Sequence, residues 1–141
     1  MPYCTEEDLV NLIPRGELAQ LTTEAGDEPD AVVVAQAIAQ ADAEIDSYLG
    51  VRYVLPLAET PARVRALSVD MALYHLYSRR SLMPEVRRDK YKDAVGFLKD
   101  VTAGRAQIMG LDGKEEPGAA GDVITVGSAD RVFSRDKMGG F

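Results

Sequence analysis

Four side chains in this sequence have the chemistry that a catalytic site could use. His75 is the only histidine of the chain and Cys4 is its only cysteine. An imidazole can act as a general base near neutral pH, and a thiol beside a helix N-terminus can become a reactive thiolate. Asp42 and Asp46 are four positions apart, so a helix would place both on one side. Two close carboxylates can separate their pKa values and perform acid–base catalysis.

Structural roles explain these four residues more simply. The apolar sequence around His75 favours an imidazole packed between helices with a local hydrogen bond. The two aspartates are expected to pair across the turn at Gly50 with one of three arginines: Arg52, Arg63 or Arg65. No two Cys or His residues have metal-ligand spacing, and EEPGAAGD lacks the Lys-Ser/Thr ending of a phosphate-binding loop. We therefore predict a protein that is not an enzyme and that holds no metal or cofactor.

Composition and charge limit the classes of function. The chain has 141 residues, of which 46% are hydrophobic and 28% charged, as in an ordinary globular domain. Its formal net charge of -7 makes it a poor default binder of nucleic acid, because that affinity depends on Lys and Arg at the phosphates. The first ten residues, MPYCTEEDLV, lack the pattern of a signal peptide. No stretch approaches the roughly 20 apolar residues of a membrane span. We expect a cytosolic protein that does not enter the membrane.

Local signals predict a mainly α fold, a compact bundle of about four helices over residues 1–104. Thr5 and the three acids after it start a short helix that Pro14 ends, and residues 15–22 add a turn or two. Asp30 is expected to cap a helix over about 31–49, in which apolar residues recur at three- and four-residue steps. Gly50 is expected to end this helix in a left-handed conformation.

Two longer predicted helices complete the bundle. Thr60 is expected to cap the third helix, with Pro61 in its first turn, and the helix runs to about Arg80. Its apolar residues lie on two nearly opposite faces. It is therefore either the central helix of the domain or a helix with a partner on its far face. The fourth helix runs from Pro84 to Gly104 and has one apolar stripe.

Residues 105–141 are predicted to form a linker and an extended C-terminal arm. LDGKEEPGAAGD contains glycine, proline and charge without an apolar period, VITV is typical of a short β segment, and a glycine-rich stretch follows. These few apolar groups cannot build a core alone. The arm therefore either packs on another surface or stays loose. Its candidate interface residues are Phe133, Arg135, Met138 and Phe141.

Charge is divided unevenly between two of the predicted helices. The helix over 31–49 carries Asp42, Glu44 and Asp46 and no basic residue. The fourth helix carries several basic residues: Arg87, Arg88, Lys90, Lys92 and Lys99. Such a bias can be no more than a solvated surface. The alternative is self-complementarity, in which the acidic side of one copy meets the basic side of the next, and such a head-to-tail contact can close into a ring.

A structural corner is predicted around Gly50. We expect Asp46 to hold Arg52 or an arginine of the third helix, which would fix the turn. Tyr48 and Tyr53 are then expected to pack the exit segment over the bundle. The corner would shape the face that meets neighbouring molecules.

Four stretches together resemble a family of proteins from Mu-like bacteriophages and prophages: MPYCTEEDLVNLIP, AQADAEIDSYLGVRYVLPL, YKDAVGFLKDVTAGR and RVFSRDKMGGF. They cover most of the chain in the expected order, and IDSYL-x-x-RY followed by LPL is the most specific of them. This family is similar to the head–tail connector, or adaptor, proteins of tailed phages.

The resemblance implies a structural protein of the virion neck that is present in the host cytoplasm during assembly. Such a protein forms a dodecameric ring beneath the portal after DNA packaging and links the portal to the tail or to a tail-terminator or stopper protein. DNA would pass through the ring without specific binding, and the C-terminal arm would reach toward the portal. The alternative prediction is a small prophage-encoded helical regulatory protein that binds a host or phage factor.

Overall fold

The computed structural model describes residues 2–111, which form a mainly helical body. Its helices are α1 (Glu6–Val10), α2 (Arg15–Thr22), α3 (Ala31–Leu49), α4 (Ala62–Arg79) and α5 (Glu85–Thr102). The prediction of a mainly α fold is confirmed, and residues 15–22 form a helix of their own, so the described part has five helices. It contains no strand. The predicted β segments and the four arm residues, Phe133, Arg135, Met138 and Phe141, lie outside the described residues.

Two of the three N-caps predicted from the sequence are present in the structure. The Thr5 hydroxyl accepts a hydrogen bond from the Asp8 N–H (3.3 Å), and the Asp8 carboxylate accepts one from the Thr5 N–H (2.9 Å), so the predicted cap is confirmed. The Asp30 carboxylate likewise accepts from the Val32 N–H (2.9 Å). The predicted Thr60 cap is wrong. Pro61 itself is the N-cap residue, with φ -61° and ψ 154°, and no side chain caps α4.

The two apolar faces of α4 are both buried within the body. Leu67, Met71 and Leu73 are among its fully enclosed side chains, and α4 packs against α1, α2, α3 and α5. Of the two alternatives predicted for this helix, the structure shows the first, a central helix. The bundle therefore forms around α4, with α3 and α5 as its long neighbours.

The packed body continues beyond residue 104, where the sequence predicts that it ends. Ile108 is only 2% exposed and belongs to the core. Gly104 permits this return of the chain, because its φ of 84° is a conformation that favours glycine. Residues 105–111 thus cover the end of the bundle.

Candidate functional site

The acidic side of α3 is tied to the N-terminal segment. Asp42 accepts hydrogen bonds from the Tyr3 backbone N–H (2.9 Å) and from the Ser68 hydroxyl (2.7 Å). One helical turn further on, Asp46 accepts a hydrogen bond from the Tyr3 hydroxyl. Burial and, after it, the bond to Asp46 raise the pKa of Tyr3 above its ordinary value. The two carboxylates therefore anchor the start of the chain to α3, and α4 joins them through Ser68.

The predicted pairing of these two aspartates with Arg52, Arg63 or Arg65 is wrong. Within residues 2–111, Asp42 and Asp46 are bound by Tyr3 and Ser68 and by no arginine. The Arg63 guanidinium lies 4.3 Å above the centroid of the Phe97 ring. Sequence reasoning missed Tyr3 because the aspartates are 39 and 43 positions away from it, and no local signal encodes such a pairing.

Cys4 is enclosed by the same group of residues. Its side chain is 2% exposed, and its Sγ lies 3.1 Å from the Ser68 Oγ. Burial raises the pKa of the Cys4 thiol to about 11, although the contact with Ser68 acts in the opposite direction. At neutral pH the thiol is therefore protonated, and the thiolate is the form that reacts. The helix N-terminus nearby does not activate this thiol, and its position is that of a core residue.

A second polar cluster joins α3 to α4 and α5. Glu44 accepts a hydrogen bond from the Tyr91 hydroxyl (2.5 Å), and its other oxygen lies 3.3 Å from the His75 Nε2. Tyr91 also stacks on Tyr74, with ring centroids 3.8 Å apart. His75 lies between helices, as predicted, but its polar partner is 31 positions away rather than local. The Glu44 carboxylate contacts both the imidazole and the phenol, so the cluster joins three helices.

The corner at Gly50 has a different backbone from the one predicted. Gly50 has φ -59° and ψ -18°, which is right-handed, and the Tyr53 N–H still donates to the Leu49 carbonyl (2.8 Å). The left-handed prediction is therefore wrong. Space is tight at this position: a Cβ on Gly50 would lie 3.1 Å from the Asp46 carbonyl oxygen and 3.4 Å from the Leu55 Cδ1.

The two tyrosines of the predicted corner connect it to the end of α5. Tyr53 is 5% exposed, and its hydroxyl accepts a hydrogen bond from the Ile108 N–H (3.1 Å). The Tyr48 carbonyl accepts one from the Thr102 hydroxyl (3.2 Å). The fifth corner residue, Arg52, lies against Gly104, where an added Cβ would be 2.1 Å from the Arg52 Nη2. The corner is therefore where α3, the segment after it and residues 105–111 meet.

Exposed apolar side chains flank this corner. Val51 is 53% exposed, Val54 67% and Met109 90%. Val54 follows Tyr53 and Met109 follows Ile108, so both lie beside the hydrogen bond that joins Tyr53 to Ile108. Single exposed apolar residues are common, whereas several at one place mark a candidate docking surface. We call Val51, Val54 and Met109 the exit patch, because the chain continues from here toward residues 112–141.

An open groove lies between residues 2–6 and α3. Its volume is about 590 Å³. The α3 side chains that line it are mostly apolar and include Val34, Ala35, Ile38 and Ala39. Its charged lining residues, among those that the structure describes, are all acidic: Glu6, Asp42 and Asp46. We call this surface the α3 groove.

Metal binding and membrane spanning find no support between residues 2 and 111. No group of three or more His, Cys, Asp or Glu side chains in this range is placed to hold a metal ion. Each helix in the same range is too short or too polar to cross a lipid bilayer.

A sequence profile described as "Bacteriophage Mu, Gp36" matches residues 3–126, which include all five helices and the corner. The chain belongs to the bacteriophage Mu Gp36 family. It is 34% identical over 142 residues to gene product J of Escherichia phage Mu, and the match covers 99% of each chain. It is 35% identical over 112 residues to the Mu-like prophage FluMu protein gp36 of Haemophilus influenzae, covering 79% of this chain and 77% of that protein. The resemblance to Mu-like phage and prophage proteins is confirmed.

The Gp36 match extends beyond the described body. It continues from residue 111 to residue 126 and so includes much of the linker predicted from the sequence. The match to gene product J covers 99% of this chain, so it also includes most of residues 131–141. The part of the chain after residue 111 is therefore shared with a Gp36 relative from phage Mu.

Proposed function

We propose that this Gp36 family member is a structural or assembly component of a Mu-like phage particle, and more narrowly a head–tail connector. The observation that carries the proposal is the relationship to phage Mu gene product J over nearly the full length of both chains. A connector works by docking to copies of itself and to larger parts of the particle. Its chemistry is that of surfaces rather than of a reaction centre.

The internal bonding of α3 supports this proposal. Asp42, Glu44 and Asp46 are each bound by hydroxyl, N–H or imidazole groups from other parts of the body. The acidic groups that could have formed a reaction site are thus used to hold the bundle together. What the body presents to other molecules is apolar surface at the exit patch and in the α3 groove.

Charge supports assembly in rings. The side of α5 that faces away from the core carries exposed basic residues, including Arg88, Lys92 and Lys99, whereas the α3 groove is lined by acids. Complementary patches on different faces favour head-to-tail contacts, and these close into rings when the rotation allows it. We propose a ring, dodecameric as in the connectors that the family resembles, placed beneath the portal in the virion neck. The net charge of -7 suits a ring through which DNA passes without specific binding.

Composition of the particle and removal of residues 112–141 test the proposal. Mass spectrometry of purified particles from the encoding phage is expected to find this protein in about a dozen copies. A phage that produces only residues 1–111 is expected to accumulate DNA-filled heads without tails, because the segment through which the protein joins other parts of the assembly is missing. A full-length gene supplied in trans is the control and restores tails. Infectious tailed particles that lack the protein altogether would overturn the proposal.

The exit patch is tested with a matched pair of substitutions. Val54→Asp places a charge in the patch at a side chain that is 67% exposed, and Val86→Asp places one at the start of α5, where Val86 is 57% exposed. Both variants are expected to fold, because neither side chain is in the core. Only V54D is expected to lower the yield of tailed particles. Equal yields from V54D, V86D and the unmodified chain would remove the exit patch from the assembly surface.

A further inference from the structure

The α3 groove has the chemistry to bind an extended, positively charged segment with apolar anchors. Its floor is apolar, and the charged groups lining it are carboxylates. Asp42 and Asp46 are hydrogen-bonded by uncharged groups of Tyr3 and Ser68, which leave their charge in place. Glu6 has one basic neighbour, with the Arg15 Nη1 at 3.5 Å. A cationic ligand would therefore meet two carboxylates whose observed hydrogen-bond donors are uncharged.

The chain contains a segment with matching properties. Residues 131–141, RVFSRDKMGGF, have three basic residues and one acidic residue, which gives a formal charge of +2. The apolar residues of the segment are Val132, Phe133, Met138 and Phe141. The groove follows α3 from Ala31 to Asp46, a rise of about 22 Å. Eleven extended residues span about 36 Å, so the segment is long enough to run along the whole groove. We propose that residues 131–141 of one copy dock in the α3 groove of a neighbouring copy.

The positions of the groove and of the chain exit favour a neighbouring copy over the same molecule. Glu44 and Tyr48 of α3 contact α5, whereas Asp42 and Asp46 face the groove. A step of two residues rotates about 200° around a helix, so the groove and α5 lie on nearly opposite sides of α3. The chain leaves the body after α5 and Ile108. The end of α5, from which residues 105–111 continue, therefore lies on the side of α3 away from the groove.

The length of the intervening chain allows this contact. Residues 112–130 separate the body from the docking segment, and an extended chain of that length spans about 65 Å. A contact between the segment of one copy and the groove of the next is head-to-tail, and repetition around an axis gives a ring. The inference rests on the proposed assembly of this protein with its own copies and names the surface and segment that join them.

Photo-cross-linking of the full chain tests the docking. Phe133 is replaced by the photoreactive p-benzoylphenylalanine, and ordinary and heavy-isotope-labelled chains are mixed in equal amounts. At about 1 mM protein, a contact with a Kd of about 1 mM is populated to roughly 40% when the sample is irradiated. Peptide mapping is expected to find cross-links from position 133 to the groove, near Ala35 and Ala39, that join one light and one heavy chain.

Two matched substitutions locate the acceptor surface. Ala39→Arg places a cation and a long side chain in the groove, and Ala66→Arg makes the same change at another exposed helical position, on α4. A39R is expected to reduce the mixed-chain product about tenfold, because it repels and obstructs the cationic segment. A66R is expected to leave the yield within about twofold of the unmodified level. Circular dichroism of both variants verifies that they are folded.

The remaining outcomes overturn the docking proposal. Cross-links confined to one chain would show that the segment binds its own groove. Mixed-chain links to another surface, a product that A39R leaves unchanged, or no mixed-chain product at about 1 mM would each exclude the proposed contact. The proposed function is judged separately by the presence of the protein in purified particles. A protein that is found there but fails the cross-linking test is a particle component whose copies are joined in another way.

Discussion

The replacement Ile108→Ala tests whether residues 105–111 belong to the folded body. The Ile108 side chain is 2% exposed and is packed in the core. Truncating a fully buried isoleucine to alanine costs about 2 to 5 kcal/mol, from lost apolar burial and from the cavity that remains. We expect a loss of about 3 kcal/mol in the free energy of unfolding. For a body of this size that corresponds to a fall of about 10 °C in Tm.

Met109→Ala is the matched control. Met109 is the next residue and is 90% exposed, so its truncation should change the unfolding free energy by no more than about 0.5 kcal/mol. Urea unfolding followed by circular dichroism measures both variants, and an unchanged m-value verifies that the same surface is exposed. Tyr53→Phe tests the same contact from the other side. It leaves the Ile108 N–H without its acceptor and should cost about 1 to 3 kcal/mol.

Equal stability of I108A and M109A would refute the reasoning. It would mean that residues 105–111 do not pack against the bundle in solution and that the body ends near residue 104, as the sequence predicts. A large loss in I108A together with no loss in Y53F would place the stabilisation in apolar packing and not in the hydrogen bond.

Four further predictions follow from the contacts of the body. Asp46→Ala and Tyr3→Phe should each cost about 1 to 2 kcal/mol, and the double variant should cost less than their sum, because both remove one hydrogen bond. A double variant whose loss of unfolding free energy equals the sum of the two single losses would contradict that bond. The pKa of Tyr3 is raised in the folded state, so the contribution of Tyr3 to the free energy of unfolding is fully present below the unfolded pKa of about 10 and is lost as the pH rises from there toward the folded pKa. Tyr3→Phe should therefore make the free energy of unfolding fall less steeply in urea titrations from pH 8 to pH 11. Asp30→Ala should cost about 1 kcal/mol by removing the cap of α3, whereas Thr60→Ala should be nearly neutral in the same assay, and equal losses would count against the observed caps. Cys4, with a thiol pKa of about 11, should react with an aromatic disulfide reagent at pH 8 only after urea unfolds the chain, and rapid labelling of the native protein would show that it is accessible.

The long helices and the caps of α1 and α3 could be predicted from the sequence because their causes are local. The apolar periodicity of residues 31–49 is contained in the segment itself, and so is the bond from the Asp30 carboxylate to the Val32 N–H. The same holds for Thr5 and Asp8, three positions apart. The two-sided apolar pattern of α4 predicted that both faces are covered. The sequence left open whether the same domain covers them, because the pattern measures burial and does not identify the neighbour.

Local rules failed where sterics or competing partners decide. Gly50 was assigned a left-handed conformation because glycine tolerates one, but the turn after α3 continues in a right-handed conformation with little room for a side chain. Thr60 has a capping side chain, yet the N-cap residue is the extended Pro61, and α4 begins at Ala62. In both cases the residue type allowed the predicted geometry, and the path of the following chain selected another.

The partners of the acidic side chains were decided by the tertiary structure alone. The sequence established that α3 carries three acids and no base, and charge alone favoured arginines as their partners. In the folded body Asp42 and Asp46 bind Tyr3, and Glu44 binds Tyr91 and lies beside His75. A carboxylate can be satisfied equally by a hydroxyl, an N–H or a cation, so its partner is whichever group the packing of distant segments brings within about 3 Å. Helix formation depends on neighbours a few positions away, whereas these contacts join residues 31 to 47 positions apart.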